Sequence, residues 1–226
     1  MTEFSYLLMI VIAVVGMIVQ ARLQSVFRKY SRVPFGAGLT GREVAERMLR
    51  DHGIMDVKVV STRGHLSDHY NPATRTVNLS ESVYGSCSIA AAAVAAHECG
   101  HAVQHSYGYA PLRLRSALVP IIQFASNIST WIIILGIILI ESVPVIFWVG
   151  IATIAASALF SIVTLPVEYN ASERALVWLE SSGTLPPAQM SGARTSLRWA
   201  ARTYLVAALS AIATLLYYLG FARDND

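Results

Sequence analysis

SALVPIIQFASNISTWIIILGIILIESVPVIFWVGIATIAASALFSIVTLPV, residues 116–167, holds a single charged side chain, Glu141, between two apolar runs. Each run is long enough as an α-helix to cross about 30 Å of hydrocarbon. The pair therefore reads as a transmembrane hairpin turning at Glu141. Outward from it, Phe4 to Ala21 and Thr203 to Ala222 are also free of charge. Together the four stretches account for a chain that is 54% hydrophobic but only 14% charged, with a mean hydropathy of +0.51. Those values exclude a single soluble globule, a disordered chain and a disulfide scaffold, and leave a mainly α-helical membrane protein of about four spans. The first run follows Glu3 and precedes its basic residues, opposite to the charge order of a signal peptide, so it reads as a retained anchor.

Assigning the loops alternately to two sides places residues 22–115 and 168–202 on one face. That face carries 16 of the 17 Lys and Arg, all but Arg223, whereas the other holds Glu3, Glu141, Asp224 and Asp226. By the positive-inside bias the basic face is cytoplasmic and both termini lie opposite. The net charge of +3 is thus an orientation signal. The bases hug span ends instead of clustering on a folded module, so no nucleic-acid partner is expected. Cys87 and Cys99 fall on the reducing side at a spacing unsuited to a zinc ribbon, and read as small packing residues.

Between the first two spans the composition becomes that of a small α+β domain. Thr40 and Glu43 form a capping-box pattern ahead of a helix whose Val44, Met48 and Leu49 share one face, with Glu43/Arg47, Glu46/Arg50 and Arg47/Asp51 spaced to pair along the other; Gly53 ends it. Val57 and Val59 alternate with Lys58 as a strand. Leu66 to Tyr70 and Thr76 to Leu79 flank Asn71-Pro72-Ala73-Thr74 as a β-hairpin. Ser86 or Ser88 then opens an Ala-rich helix to about Ser106, too weakly apolar for a fifth span.

That helix contains His97-Glu98-Cys99-Gly100-His101. Positions i and i+4 lie one turn apart on one face, so both imidazoles can reach one Zn²⁺, while Glu98 beside them can act as the base for an activated water. Burying two His and a Glu among alanines without partners would be costly, which favours a metal site over a satisfied structural helix. His105, at i+8, is about 12 Å along the axis from His97 and reads as a surface or supporting residue. A catalytic zinc usually takes three protein ligands. Candidates on the same membrane side are His65, Asp68, His69, Glu81, Glu168, Glu173 and Glu180. Glu168 follows Pro166 at the end of the third span, where it could point into the protein beside Ala171, Ala175, Leu176 and Leu179. It could equally be an acid at the N-terminus of a new helix, favoured by the helix dipole.

Gly64-His-Leu-Ser-Asp-His-Tyr-Asn-Pro, Val77-Asn-Leu-Ser, Ala95-Ala-His-Glu-Cys-Gly-His-Ala-Val-Gln-His, Gly108-Tyr-Ala-Pro-Leu and Leu165-Pro-Val-Glu-Tyr-Asn-Ala-Ser occur in this order. Together they resemble the YugP-like family of zinc-dependent membrane metallopeptidases. The resemblance spans nearly the whole chain. It implies a multi-pass bacterial plasma-membrane protein with one zinc per chain, held by His97, His101 and Glu168, with Glu98 as catalytic base. Family members more often carry Val at position 99 and Asp at position 170. The chain is also similar to HtpX-like gluzincins, in which a Glu-x-x-x-Asp pair supplies a ligand and the acid that orients a ligand. Ser172 stands at the latter position here.

The expected layout is an anchor and basic linker over 1–32, a cytoplasmic zincin-like domain over 33–115, the transmembrane hairpin over 116–167, a cytoplasmic segment with the third ligand over 168–202, and a last span with its tail over 203–226. The expected activity is zinc-dependent endopeptidase cleavage of membrane-associated polypeptide, with the Leu66–Tyr70 strand adding to an extended substrate; His65 and His69 read as surface residues first, with a place near the oxyanion as the alternative. A site-2-type intramembrane protease would need an Asp within a span, and no apolar run contains one. A zinc-bearing scaffold without activity would need four ligands and would have no use for Glu98.

Overall fold

The computed structural model describes residues 2–64 and 66–224. In chain order these form α1 (Thr2–Tyr30), α2 (Gly41–Asp51), β1 (Lys58–Thr62), β2 (His69–Asn71), β3 (Thr76–Ser80), α3 (Glu81–Tyr84), α4 (Ile89–Ser106), α5 (Ala110–Ile138), α6 (Pro144–Ser181) and α7 (Pro187–Asp224). The protein is mainly helical with a small mixed sheet. Helices α1, α5, α6 and α7 each contain a window long and apolar enough to cross a membrane. The chain divides into two compact units.

One unit comprises Met1–Ile18, Arg113–Pro166 and Thr203–Asp226, and thus the most apolar parts of the four long helices. Its internal contacts are made by small residues and aromatics. A Cβ on Gly136 would fall 2.6 Å from the Cα of Phe147, and one on Gly150 would fall 2.5 Å from Cδ1 of Ile133, so these glycines let α5 and α6 approach closely. Phe147, Ile133, Ile151 and Ala222 are buried together, with Tyr218 and Phe221 packed against them. Ser129 and Thr153 share a hydrogen bond of 2.8 Å, which satisfies two hydroxyls that a hydrocarbon surrounding could not. Large apolar side chains point outward, Trp131 at 73% and Ile138 at 71% exposure, as expected of surfaces facing lipid tails.

The other unit, Val19–Leu112 with Val167–Arg202, has a conventional core. Thr40 and Glu43 cap α2 reciprocally, and the apolar face of that helix, Val44, Met48 and Leu49, is fully or nearly fully buried. Of the charged side chains expected to pair along α2, Glu43 is committed to the capping box, and Glu46 pairs with Arg42 at 2.7 Å. Arg47 and Asp51 reach residues of the α6 region instead: the former donates to the Ser182 carbonyl at 3.3 Å, and the latter accepts from the Trp178 indole at 3.0 Å. The sheet order is β1-β3-β2, with β1 parallel and β2 antiparallel to β3. The hairpin is therefore present, with β2 at a sheet edge, but β2 is shorter than the expected Leu66–Tyr70 strand. Leu66 adopts a left-handed φ of 56°, and the Asp68 carboxylate turns back to accept from the Ser80 amide at 2.7 Å, so the chain loops before reaching the ladder. Helix α4 starts at Ser88, whose hydroxyl accepts from the Ala91 amide, and its alanines lie in the centre of the core.

One expectation about the third span is corrected. No new helix begins at Glu168, because α6 runs unbroken through Pro166 to Ser181. Proline removes one backbone donor, a cost that a long, laterally packed helix absorbs. The dipole explanation for Glu168 falls with it, since the residue lies far from the helix N-terminus.

Candidate metal centre

On α4, His97 and His101 stack edge to face with ring centroids 4.9 Å apart. Nε2 of His97 lies 3.2 Å and Nε2 of His101 3.6 Å from the same oxygen, Oε2 of Glu168 on α6. Glu168 is 1% exposed, a buried carboxylate whose position is explained by those two rings. Among the described residues these three side chains form a group with one ligand atom each, all within 4.8 Å of one another.

The site is built by close approach of α4 and α6. A Cβ on Gly100 would sit 2.5 Å from the Ala171 carbonyl oxygen, so only glycine at that point of the His-Glu-x-x-His turn allows the two backbones to come this near. The remaining ring nitrogens are also engaged. Nδ1 of His97 lies 3.1 Å from the Ser172 hydroxyl, one turn beyond Glu168 on α6, and Nδ1 of His101 lies 3.0 Å from Oε1 of the fully buried Gln104. Both rings thus turn Nε2 toward the carboxylate. A tetrahedral ion with ligand distances of about 2.0–2.2 Å separates its ligand atoms by roughly 3.3 Å, comparable to the gaps observed. Two imidazoles and one carboxylate are also a donor set suited to zinc. The residues present fit the ion.

Glu98 is buried on the same helix turn. Burial chiefly raises its carboxyl, to about 7; His97 opposes, while the carboxylates of Glu168 and Asp68 push the same way as burial. The remaining candidates for the third ligand lie elsewhere. Asp68 is committed to the Ser80 amide and hydroxyl, His69 is exposed with Nδ1 2.9 Å from the Ser67 carbonyl, Glu81 and Glu173 are exposed, and Glu180 stands 3.9 Å from Arg194. His65 lies outside the described residues. His105 is half-buried with Nδ1 2.7 Å from the Tyr70 hydroxyl, so it supports the edge strand. Cys87 and Cys99 are unbridged; the buried Cys99 thiol donates toward the Ala45 carbonyl at 3.5 Å, and burial pushes it well above the usual thiol range.

The family described as "Putative neutral zinc metallopeptidase" matches residues 5–223. The chain belongs to this family. It is also 42% identical over 200 residues to the "Putative membrane protease YugP" of Bacillus subtilis (strain 168), a match covering 88% of each chain. No solved structure matches it. As a neutral zinc metallopeptidase family member the protein carries the His-Glu-x-x-His motif on α4 and brings Glu168 to it from 67 positions beyond His101. Two neighbours of the site, Gln104 and Ser172, belong to no ligand motif of their own. The signal for Gln104 is its i+3 spacing from His101, which places both on one helix face. Ser172 was noted for the acid it replaces, and its hydroxyl contact with His97 required the packed α4–α6 pair.

Proposed function

We propose that this protein is an integral-membrane zinc endopeptidase that hydrolyses peptide bonds of membrane-associated polypeptides. The observation that carries the reading is the convergence of His97, His101 and Glu168 on one point, with Glu98 buried on the same turn of α4. His97, His101 and Glu168 would hold one zinc ion per chain. When bound, zinc supplies a Lewis acid that activates water and polarises an acyl carbonyl. Glu98 accepts the proton of the attacking water on a carboxylate oxygen and returns it to the leaving amine nitrogen. Strand β2 lies at the sheet edge and packs against α4. An extended substrate would add to this edge by main-chain hydrogen bonds, which grip a polypeptide without regard to most side chains.

Among the described residues three donors converge, fewer than the four of a closed structural site, which favours catalysis over a zinc-bearing scaffold. The absence of Asp from all four apolar runs argues against site-2-type chemistry. The distribution of 16 of 17 basic residues supports an active site on the cytoplasmic face of a bacterial plasma membrane, with both termini opposite. It likewise supports reading residues 33–115 and 168–202 as the cytoplasmic parts of the layout. The test is the Glu98→Gln variant, purified with zinc and assayed on peptide and membrane-protein substrates in lipid nanodiscs. Zinc content should match wild type while turnover falls about 10²–10⁴-fold. Undiminished cleavage by that variant would sink the assignment.

A further inference from the structure

The hydrogen-bond directions around His101 are set from Arg174 inward. Nε of Arg174, a group that can only donate, lies 2.8 Å from one side-chain atom of Asn170, which must therefore be the amide oxygen. That oxygen lies 3.0 Å from one terminal atom of the Gln104 side chain, and the same Gln104 atom lies 2.8 Å from the Val167 carbonyl oxygen. With two acceptors facing it, that Gln104 atom is the amide nitrogen, and its two hydrogens are both used. The other terminal atom of Gln104 is then the carbonyl oxygen, which cannot donate. It lies 3.0 Å from Nδ1 of His101, so that nitrogen carries the proton. In the neutral ring Nε2, the nitrogen facing Glu168, is left with its lone pair.

No such chain sets His97. Its Nδ1 meets the Ser172 hydroxyl, which can donate or accept, while its Nε2 lies 3.2 Å from the Glu168 carboxylate, an acceptor, so a proton on Nε2 is favoured until an ion takes its place and Ser172 permits the change of tautomer.

We propose that Gln104 is a positioning residue that presets the metal-binding tautomer of His101. Its amide is fixed in orientation by the Val167 carbonyl and by the Asn170–Arg174 pair on α6. His101 is the pre-formed imidazole ligand, and His97 adapts as the ion enters. The inference rests on the zinc reading above.

The experiment compares wild type with Gln104→Met and Gln104→Glu in detergent or nanodiscs, measuring zinc affinity by competition with a chromophoric chelator and recording ¹⁵N-histidine spectra of the zinc-loaded proteins. Wild type should show a slowly exchanging Nδ1–H of His101. Methionine keeps the volume but removes the acceptor, so that signal should be lost and zinc should bind roughly 10–100-fold more weakly. Glutamate, ionised or not, keeps an acceptor toward His101; it should retain the signal and recover at least about tenfold of the lost affinity. Both variants disturb the clamp onto Val167 and Asn170, so equal losses in the two would mean a packing role and overturn the proposal. Wild-type zinc affinity in Gln104→Met, or no protected Nδ1–H in wild type, would overturn it as well, the latter without depending on any variant's folding. If His97→Ala and Glu168→Ala leave zinc binding unchanged, the zinc reading itself fails and this inference with it.

Discussion

At the residue scale the candidate centre is held by unequal partners. Glu168 is buried between two imidazoles, so as the proposed ligand its charge would act on the ion directly, whereas the Ser172 hydroxyl only supports one ring. Glu168→Gln should therefore weaken zinc by more than the roughly 10–100-fold expected for losing an outer partner, and Ser172→Ala by less than the lower end of that range. Equilibrium dialysis of both variants against zinc checks the order, and a reversed order would show that the carboxylate is not a ligand. The two histidines and Glu98 were legible in the sequence because helical periodicity alone puts positions one turn apart on one face. Glu168 stands out in the local sequence, after Pro166 at a span end, but an acid there fits a helix start equally well, and resemblance to the metallopeptidase family is needed to prefer the ligand reading.

At the element scale the decisive feature is the contact between α4 and α6. Gly100 lies between His97 and His101 with the Ala171 carbonyl against it. A methyl group there must push α6 away, and overpacking of this kind costs about 1–3 kcal/mol. Because Glu168 and Ser172 ride on α6, Gly100→Ala should lower thermal stability and zinc affinity together. Gly85→Ala is the matched control, since no atom lies within 4 Å of the added carbon and its φ of −97° suits any residue. Differential scanning fluorimetry with and without zinc measures both, and equal behaviour of the two variants would show that close helix approach is not what builds the site. The hairpin and α2 were foreseen from turn and cap chemistry, which act over a few residues. The parallel β1–β3 pairing was not, because strand order is set by which faces the helices cover.

At the scale of the whole molecule, four membrane-length helices follow from composition and charge spacing, and the orientation assigned from the basic residues makes a separate prediction. In a chain with Cys87→Ser and Cys99→Ala, a cysteine at Glu180, whose side chain is 66% exposed, should react only with membrane-permeant maleimide in intact cells. A cysteine appended after Asp226 should react with an impermeant one. The reverse pattern would place the metal centre on the outer side. The candidate site itself is assembled within the unit formed by Val19–Leu112 and Val167–Arg202, two segments separated by the apolar hairpin.

The sequence by itself determined the span count, the caps, the hairpin and the His-Glu-x-x-His face, since each depends on neighbours within a turn or two or on a bulk transfer free energy. Tertiary structure alone decided that α6 continues through Pro166 and that its Glu168 and Ser172 meet opposite nitrogens of His97. It also decided that Gln104 closes the network on His101. Apart from the Gln104–His101 pair on one helix face, those contacts join positions more than sixty residues apart, and a hydrogen bond depends on where two side chains lie in space, which no local pattern encodes.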